Sequence, residues 1–390
     1  MRATGNLHLG HYHGVLKNWL HLQHQYDCYF FVADWHGLTT CYDEPGFIKD
    51  VLTDIVIDWL AVGINPNLSK IFIQSWVPEH AELHLLLSMI TPLGWLERVP
   101  SFKDQQDKLH HKELSTYGFL GYPLLQSADV LLYKADYVPV GEDQVPHLEL
   151  TREIARRFNH LYGREPNFET LVQEALKKMG RKNGKFYNEL RKKFQQEGCQ
   201  DSLNTARALV INQHNLSLGD KERLLGFLDS TGKIILPEPQ ALLTETAKMP
   251  GIDGQKMSKS YHNTISLRET PAVVEKKILT MPTDPARVKR TDPGEPNRCP
   301  LWQFHKVYSS EETKTWAANG CRTASIGCVD CKQPIIKAMV DELQPIQSAI
   351  AEYASNPGYV KRILTEGSEA AREEASKTLD EVKEAMGIDY

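Results

Sequence analysis

The chain has 390 residues, 41% of them apolar, and its 45 basic and 50 acidic side chains leave a formal net charge of −5. That length supports two domains, or one large domain with appendages, each burying a core. The mildly acidic balance excludes a protein coated in positive charge for indiscriminate nucleic-acid binding but leaves room for local basic patches. No run of about 18 apolar residues and no basic-then-apolar leader occurs, which predicts a cytoplasmic protein with no membrane attachment.

The first segment, Thr4-Gly5-Asn6-Leu7-His8-Leu9-Gly10-His11, runs into a predicted helix carrying Val15, Leu16, Trp19 and Leu20. Glycines and imidazoles therefore fall at a helix N-terminus, where free backbone N–H groups, the positive dipole end and histidine donors suit a phosphate. Alone, the pattern fits a purely structural turn equally well. The continuous apolar runs Tyr29-Phe30-Phe31-Val32-Ala33 and Ile71-Phe72-Ile73 predict strands buried on both faces of a parallel sheet. Helical stretches between them point to a doubly wound α/β fold, with ligands beyond the carboxyl ends of the strands. Asp34-Trp35-His36 and Val140-Gly141-Glu142-Asp143 stand at such ends.

From about residue 166 to 235 the composition turns basic, with Lys177, Lys178, Arg181, Lys182, Lys185, Arg191, Lys192 and Lys193 opposed only by Glu174, Glu189 and Glu197. This predicts a helical insertion, its charges either solvated or facing RNA. The segment Gly251-Ile252-Asp253-Gly254 then leads into Lys256-Met257-Ser258-Lys259-Ser260, a predicted mobile loop whose two ammonium groups and two hydroxyls suit a polyphosphate, or else an exposed basic turn. Pro334 is expected in the first turn of a helix bearing Ile336, Val340, Leu343, Ile346 and Ile350. Leu379, Val382 and Met386 mark a last helix. The predicted layout is a catalytic α/β domain over 1–165, the insertion over 166–235, a return to the catalytic domain over 236–264, and a helical domain over 265–390.

Four of seven cysteines, Cys299, Cys321, Cys328 and Cys331, are spaced C-x21-C-x6-C-x2-C, the last pair expected in a tight turn; Cys28, Cys41 and Cys199 are scattered. Four thiolates suit zinc or an iron–sulfur cluster, with four free buried cysteines as the alternative.

Together, the His-x-Gly-His turn and the Lys-Met-Ser-Lys-Ser loop resemble the paired signatures of the class I aminoacyl-tRNA synthetases. The resemblance implies that ATP, with Mg²⁺, is attacked at its α-phosphorus by an amino-acid carboxylate, with no protein nucleophile. It implies catalytic roles for His8, His11, Lys256 and Lys259. It implies ATP contacts from Thr4, Gly5, His8, Gly10, His11, Gly141, Glu142, Asp143, Lys256, Met257, Ser258, Lys259 and Ser260. The stretches Tyr122–Asp129 and Val138–Gln144 are similar to the tryptophan enzymes of that class, which implies that Asp129 accepts the indole N–H and that His36, Tyr122, Gln126 and Gln144 also meet tryptophan. Tyrosine could donate to Asp129 as well, but tyrosine enzymes typically carry Gly-Gly-Ser-Asp-Gln where this chain has Gly141-Glu142-Asp143-Gln144.

The resemblance further implies L-tryptophan and tRNA(Trp) as partners, a homodimer, and a lysine near the triphosphate at Lys103, although Gln105 replaces a second family lysine. Gln126 replaces a methionine common in relatives. The cysteine spacing resembles a bacterial subset holding a 4Fe-4S cluster, with Zn²⁺ as the alternative, in an anticodon-binding region where Arg287, Lys289, Arg290 and Arg298 are candidate phosphate contacts and Trp302 and Trp316 candidate stacking groups. The family has a strand before the His-x-Gly-His turn, whereas Met1 lies seven residues ahead of His8; a truncated or misassigned start is the expectation. The rival readings are a tyrosine enzyme, a non-catalytic tRNA-binding or iron–sulfur protein, and a small adenylyltransferase.

Overall fold

Tyr29, Phe30, Phe31 and Val32 are residue types that fit an extended, half-buried backbone, and they form strand β1 (Cys28–Val32), which pairs in parallel with β2 (Ser69–Ile73). In the computed structural model, residues 1–3, 5–99, 116–163, 167–229, 232–243 and 249–390 are described. The chain divides into two units, Met1–Trp76 with Thr244–Ala371, and Val77–Leu243 with Arg372–Tyr390.

In the first unit, the register sets Phe30 opposite Ile71 and Val32 opposite Ile73. Two helices, Asp34–Cys41 and Gly46–Ala61, fill the β1 to β2 crossover that parallel pairing demands. The second of these buries Ile48, Val51, Ile55, Val56 and Trp59 and packs against the long helix Cys328–Ser355. Residues 1–3 run beside the end of β1, with the Ala33 amide donating to the Met1 carbonyl at 2.8 Å, and Ala3 is fully buried.

The helix Cys328–Ser355 departs from the expected layout in one respect. The Asp330 carboxylate reaches back to the Gly327 amide at 2.8 Å, capping the helix upstream of Pro334, which therefore lies inside the helix together with Pro345. The Cys328–Cys331 pair consequently sits in a helical first turn rather than in a tight loop.

In the second unit, β3 (Tyr137–Val140) pairs in parallel with β4 (Gln240–Leu243). Helices Glu79–Ser88, Tyr117–Leu131 and Val145–Tyr162 pack together. The basic stretch hangs on the β3 to β4 connection as four helices, Phe168–Lys178, Arg181–Glu197, Gln200–Ile211 and Leu218–Leu228. They bury a core of their own, including Val172, Leu176, Tyr187, Leu203, Val210 and Leu224. Some of the cations serve this bundle: Lys178 pairs with buried Asp220 at 2.8 Å, and Arg191 lies 3.7 Å from the Phe227 ring centre while donating to the Phe227 carbonyl. Among the described residues no helix is long and apolar enough to cross a membrane.

Candidate active site

In the first unit, His8 caps the helical segment that begins at Leu9, its Nδ1 accepting from the Gly10 amide at 3.1 Å. The His11 Nδ1 accepts in turn from the His8 amide at 3.3 Å, and the two rings lie 3.8 Å apart. The Leu9 amide donates to the Ile265 carbonyl and the His11 amide to the His8 carbonyl. The expected phosphate cradle of free backbone N–H groups is therefore corrected, because these amides already have protein partners. With each Nδ1 accepting, the neutral tautomer carries its proton on Nε2, so the imidazole edges are the donors that remain. Burial, reinforced by the charge of Lys259, pushes the His8 pKa down to about 4. Burial, His8 and Lys259 hold His11 well below the ordinary histidine value. Both rings are neutral at pH 7.

Gly10 leaves no room for a side chain, since a Cβ there would stand 2.9 Å from the His8 ring. Gly5 adopts a φ of +109°, open to glycine and strained for other residues, and its carbonyl accepts from Lys259 Nζ at 2.8 Å. Beyond His11 the helix widens into a π-turn over Tyr12–Leu16 before resuming over Lys17–Leu22.

The downstream loop is anchored rather than loose. Met257 is buried, and Asn263, also buried, accepts from the Ser258 amide at 2.8 Å through Oδ1 while its Nδ2 donates to Asp253 and to the Lys256 carbonyl. Lys256 is exposed. Lys259 turns inward, and burial lowers its pKa to about 8 against the opposing pull of Asp58. Asp58 is wholly buried; burial raises its pKa to about 6 although Arg268 bonds it at 2.8 Å. His8, His11, Gly5, Gly10, Met257 and Lys259 are thus gathered in one unit. Asn263 and Asp58 carry no motif signal and were missed from sequence. Thr4 and Lys103 lie outside the described residues, as does the side chain of Ser260. His36 is buried in the helix directly after β1.

In the second unit, Tyr122, Gln126 and Asp129 lie on one face of the helix Tyr117–Leu131. Asp129 lies in the last turn of that helix, whose N-cap is Thr116, and is buried. Its Oδ1 lies 2.7 Å from Nδ1 of buried His80, whose Nε2 is 2.8 Å from the Tyr133 hydroxyl. Tyr122 meets His147 at 3.2 Å. Gly141 precedes the short turn Glu142–Gln144, in which Glu142 and Asp143 are exposed and the Gln144 side-chain Nε2 donates to Asp143 at 3.2 Å.

The four clustered cysteines, in the first unit, are free and half-buried. Burial, and after it the neighbouring Cys299, Cys321 and Cys328, push the Cys331 thiol up to about 12. The His305 Nε2 lies 3.2 Å from Cys331 Sγ and the Arg287 Nη1 3.9 Å from Cys321 Sγ. Buried Lys332 donates to the carbonyls of Leu279 and Met281 at 2.7 Å each. Among the described residues no group of three or more His, Cys, Asp or Glu side chains is closed around a single metal position. The expectation that Arg287 contacts RNA is corrected: it is buried, donating to the carbonyls of Arg290 and Ile326. Arg298 pairs with Asp284 at 3.2 Å and Arg290 lies 3.8 Å from Asp330, while Lys289 is exposed. Trp316 is exposed and Trp302 half-buried.

The chain matches the family described as tRNA synthetases class I (W and Y) over residues 1–195 and 214–344. It is 60% identical over 390 residues to the tryptophan–tRNA ligase of Ralstonia nicotianae, an alignment spanning 100% of this chain and 98% of that protein. It is 44% identical to the tryptophan–tRNA ligase of Thermotoga maritima over the same shares of both chains. The crystal structure of tryptophanyl-tRNA synthetase from Campylobacter jejuni complexed with ADP and tryptophan has the same fold, with a TM-score of 0.72 at 24% identity, covering 99% of this chain and 98% of that one.

Proposed function

The chain belongs to the class I tRNA synthetases of the tryptophan and tyrosine family, and from that premise we infer its reaction and the residues that perform it. It is a tryptophan–tRNA ligase: it activates L-tryptophan with ATP to tryptophanyl-adenylate and transfers the tryptophanyl group to tRNA(Trp). The observation that carries this reading is 60% identity to a tryptophan–tRNA ligase along the whole chain.

In the activation step a tryptophan carboxylate oxygen bonds to the α-phosphorus, and the bond from that phosphorus to the oxygen bridging it to the β-phosphate breaks, releasing pyrophosphate. Such displacements depend on alignment and on positive groups meeting the charge that grows on the leaving oxygens. We assign that work to the neutral Nε2–H donors of His8 and His11 and to the ammonium groups of Lys256 and Lys259. ATP enters as its Mg²⁺ complex. Gly5 and Gly10 allow close approach of the nucleotide, and Gly141, Glu142, Asp143, Met257 and Ser258 are further assigned to ATP. For tryptophan, Asp129 is the acceptor of the indole N–H, with His80 holding the carboxylate, and Tyr122, Gln126 and Gln144 are additional contacts. His36 is assigned to tryptophan also.

We assign a metal centre to Cys299, Cys321, Cys328 and Cys331, a 4Fe-4S cluster in preference to zinc, that staples the helices around it. Four thiolates around either centre leave a net charge of about −2, and the buried cations Arg287 and Lys332 suit that charge. The Arg287 Nε is buried without a partner, as a donor beside a sulfur-rich ligand set would be. Homodimer formation is supported by the exposed apolar side chains Leu85, Met89, Leu93 and Tyr117.

Exchange of labelled pyrophosphate into ATP tests the reaction: it is expected with tryptophan and absent with tyrosine. Exchange with tyrosine instead would assign the chain to the tyrosine branch, and tRNA binding with no exchange would leave a non-catalytic RNA-binding protein.

A further inference from the structure

The His-x-Gly-His helix is held from behind by a carboxylate more than 300 residues away along the chain. Glu342, on the helix Cys328–Ser355, accepts from Lys17 Nζ through Oε1 at 2.8 Å, and its Oε2 lies 2.9 Å from His13 Nε2 and 2.8 Å from the Tyr308 hydroxyl. His13 and Tyr308 also touch, at 2.9 Å, closing a triangle. Lys17 lies over the Tyr12 ring, 4.9 Å from its centre. All of these groups belong to the first unit.

Their position in the signature helix is what matters. His13 lies within the π-turn Tyr12–Leu16, which begins directly after His11, and Lys17 lies immediately beyond it. A π-turn is disfavoured relative to regular helix and persists where tertiary contacts hold it. Returning that turn to α-helical register would rotate the residues on its N-terminal side, His8 and His11, relative to the rest of the helix. The contacts to Glu342 oppose this, because both side chains they bind lie in or just beyond the widened turn. Burial opposes ionisation of Glu342, but its bonds to His13 and Lys17 outweigh burial and hold its pKa at about 2, so the carboxylate is charged at neutral pH.

Resting on the ligase reading above, we propose that Glu342 is a positioning residue for ATP, which through His13 and Lys17 sets the placement of His8 and His11 in the activation step. It touches no substrate.

The test is tryptophan-dependent pyrophosphate exchange by Glu342→Gln, which keeps the shape and removes the charge, with Lys17→Met as a milder second variant and Tm measured for each. The expected result, per folded enzyme, is a fall of about tenfold in kcat/KM for ATP in Glu342→Gln, carried mainly by kcat, and a smaller fall in Lys17→Met, with KM for tryptophan changed less than twofold, since small misplacements of groups that act in the transition state are costly. A purely structural contact would lower Tm and the amount of folded enzyme while leaving kcat and both KM values per folded enzyme alone, and that result in both variants overturns the proposal. A rise in KM for tryptophan as large as the loss in kcat/KM for ATP overturns it too. Absence of exchange in the unaltered protein would instead sink the ligase reading, which keeps the two failures apart.

Discussion

Raising the pH through 8 removes a positive charge from the proposed ATP site without altering any covalent bond of the enzyme. Burial places the Lys259 ammonium near pKa 8, so about nine-tenths of it is charged at pH 7 and about one-tenth at pH 9. If only the charged form assists, kcat/KM for ATP in pyrophosphate exchange falls above pH 8 with a slope approaching tenfold per pH unit. It levels off at the activity of Lys259→Met, about 10²- to 10³-fold down, the usual effect of losing one preorganised donor. Because kcat/KM reports the free enzyme and kcat the complex, and bound polyphosphate favours the ammonium form, the alkaline limb of kcat should lie at higher pH. Stability moves the other way. The pKa is lowered from 10.5, so between about 8 and 10.5 the unfolded chain binds more protons, and this group makes the fold more stable as pH rises. Activity lost at pH 9 without loss of folded protein is thus the signature. A kcat/KM profile flat to pH 9.5, or an alkaline limb near pH 8 that survives in Lys259→Met, would refute the reasoning.

Three further outcomes follow from contacts within single units. Arg268→Met strands the wholly buried Asp58 carboxylate and should cost about 3–5 kcal/mol in urea unfolding. The Asp58 pKa is raised from 3.8 to about 6, so its favourable contribution is complete below 3.8 and disappears as pH rises through 6; a mutant no less stable than wild type at pH 7 contradicts this. Asp129→Asn should reduce kcat/KM for tryptophan by about 10- to 100-fold, the loss of one charge-assisted hydrogen bond, while KM for ATP stays within twofold. Equal effects on both substrates would argue that Asp129 merely braces His80. Anaerobically purified protein should contain iron and acid-labile sulfide, lost in Cys331→Ser; zinc without iron would replace the cluster assignment.

Much of this was legible in the sequence because the motifs are contiguous. Strands β1 and β2 announced themselves as apolar runs, and His8, Gly10 and Lys259 as letters of two short patterns. What brackets those letters was not legible. Asn263 braces its own loop through Ser258, Asp253 and Lys256, and Asp58 acts on Lys259 from a distant helix; no pattern in the letters around either residue marks it. His80 was hidden for the same reason, since its tie to Asp129 spans 49 residues. The errors also have local causes. Pro334 looked like a helix start because proline is favoured there, but the Asp330 side chain supplied a cap upstream. Arg287 looked like an RNA contact because sequence shows charge but not direction.

The charge states of the first unit bear on how the two signature motifs would act together in the proposed ATP site. His8 and His11 are neutral and Lys259 is only weakly basic, because burial disfavours the charged form of each and the Lys259 charge further disfavours protonation of the two rings. The cluster therefore does not carry the dense positive charge that its composition advertises. In the proposed ATP site its charge is conditional, since a bound polyphosphate would stabilise the ammonium of Lys259 and accept from the imidazole Nε2–H groups. Donors fixed before substrate arrives need no reorganisation when negative charge shifts onto pyrophosphate. Interactions that strengthen with that shift lower the barrier rather than merely tightening ATP binding. On this argument, moving Lys259 to an exposed position, with a full and solvated charge, would retain affinity for ATP and lose rate.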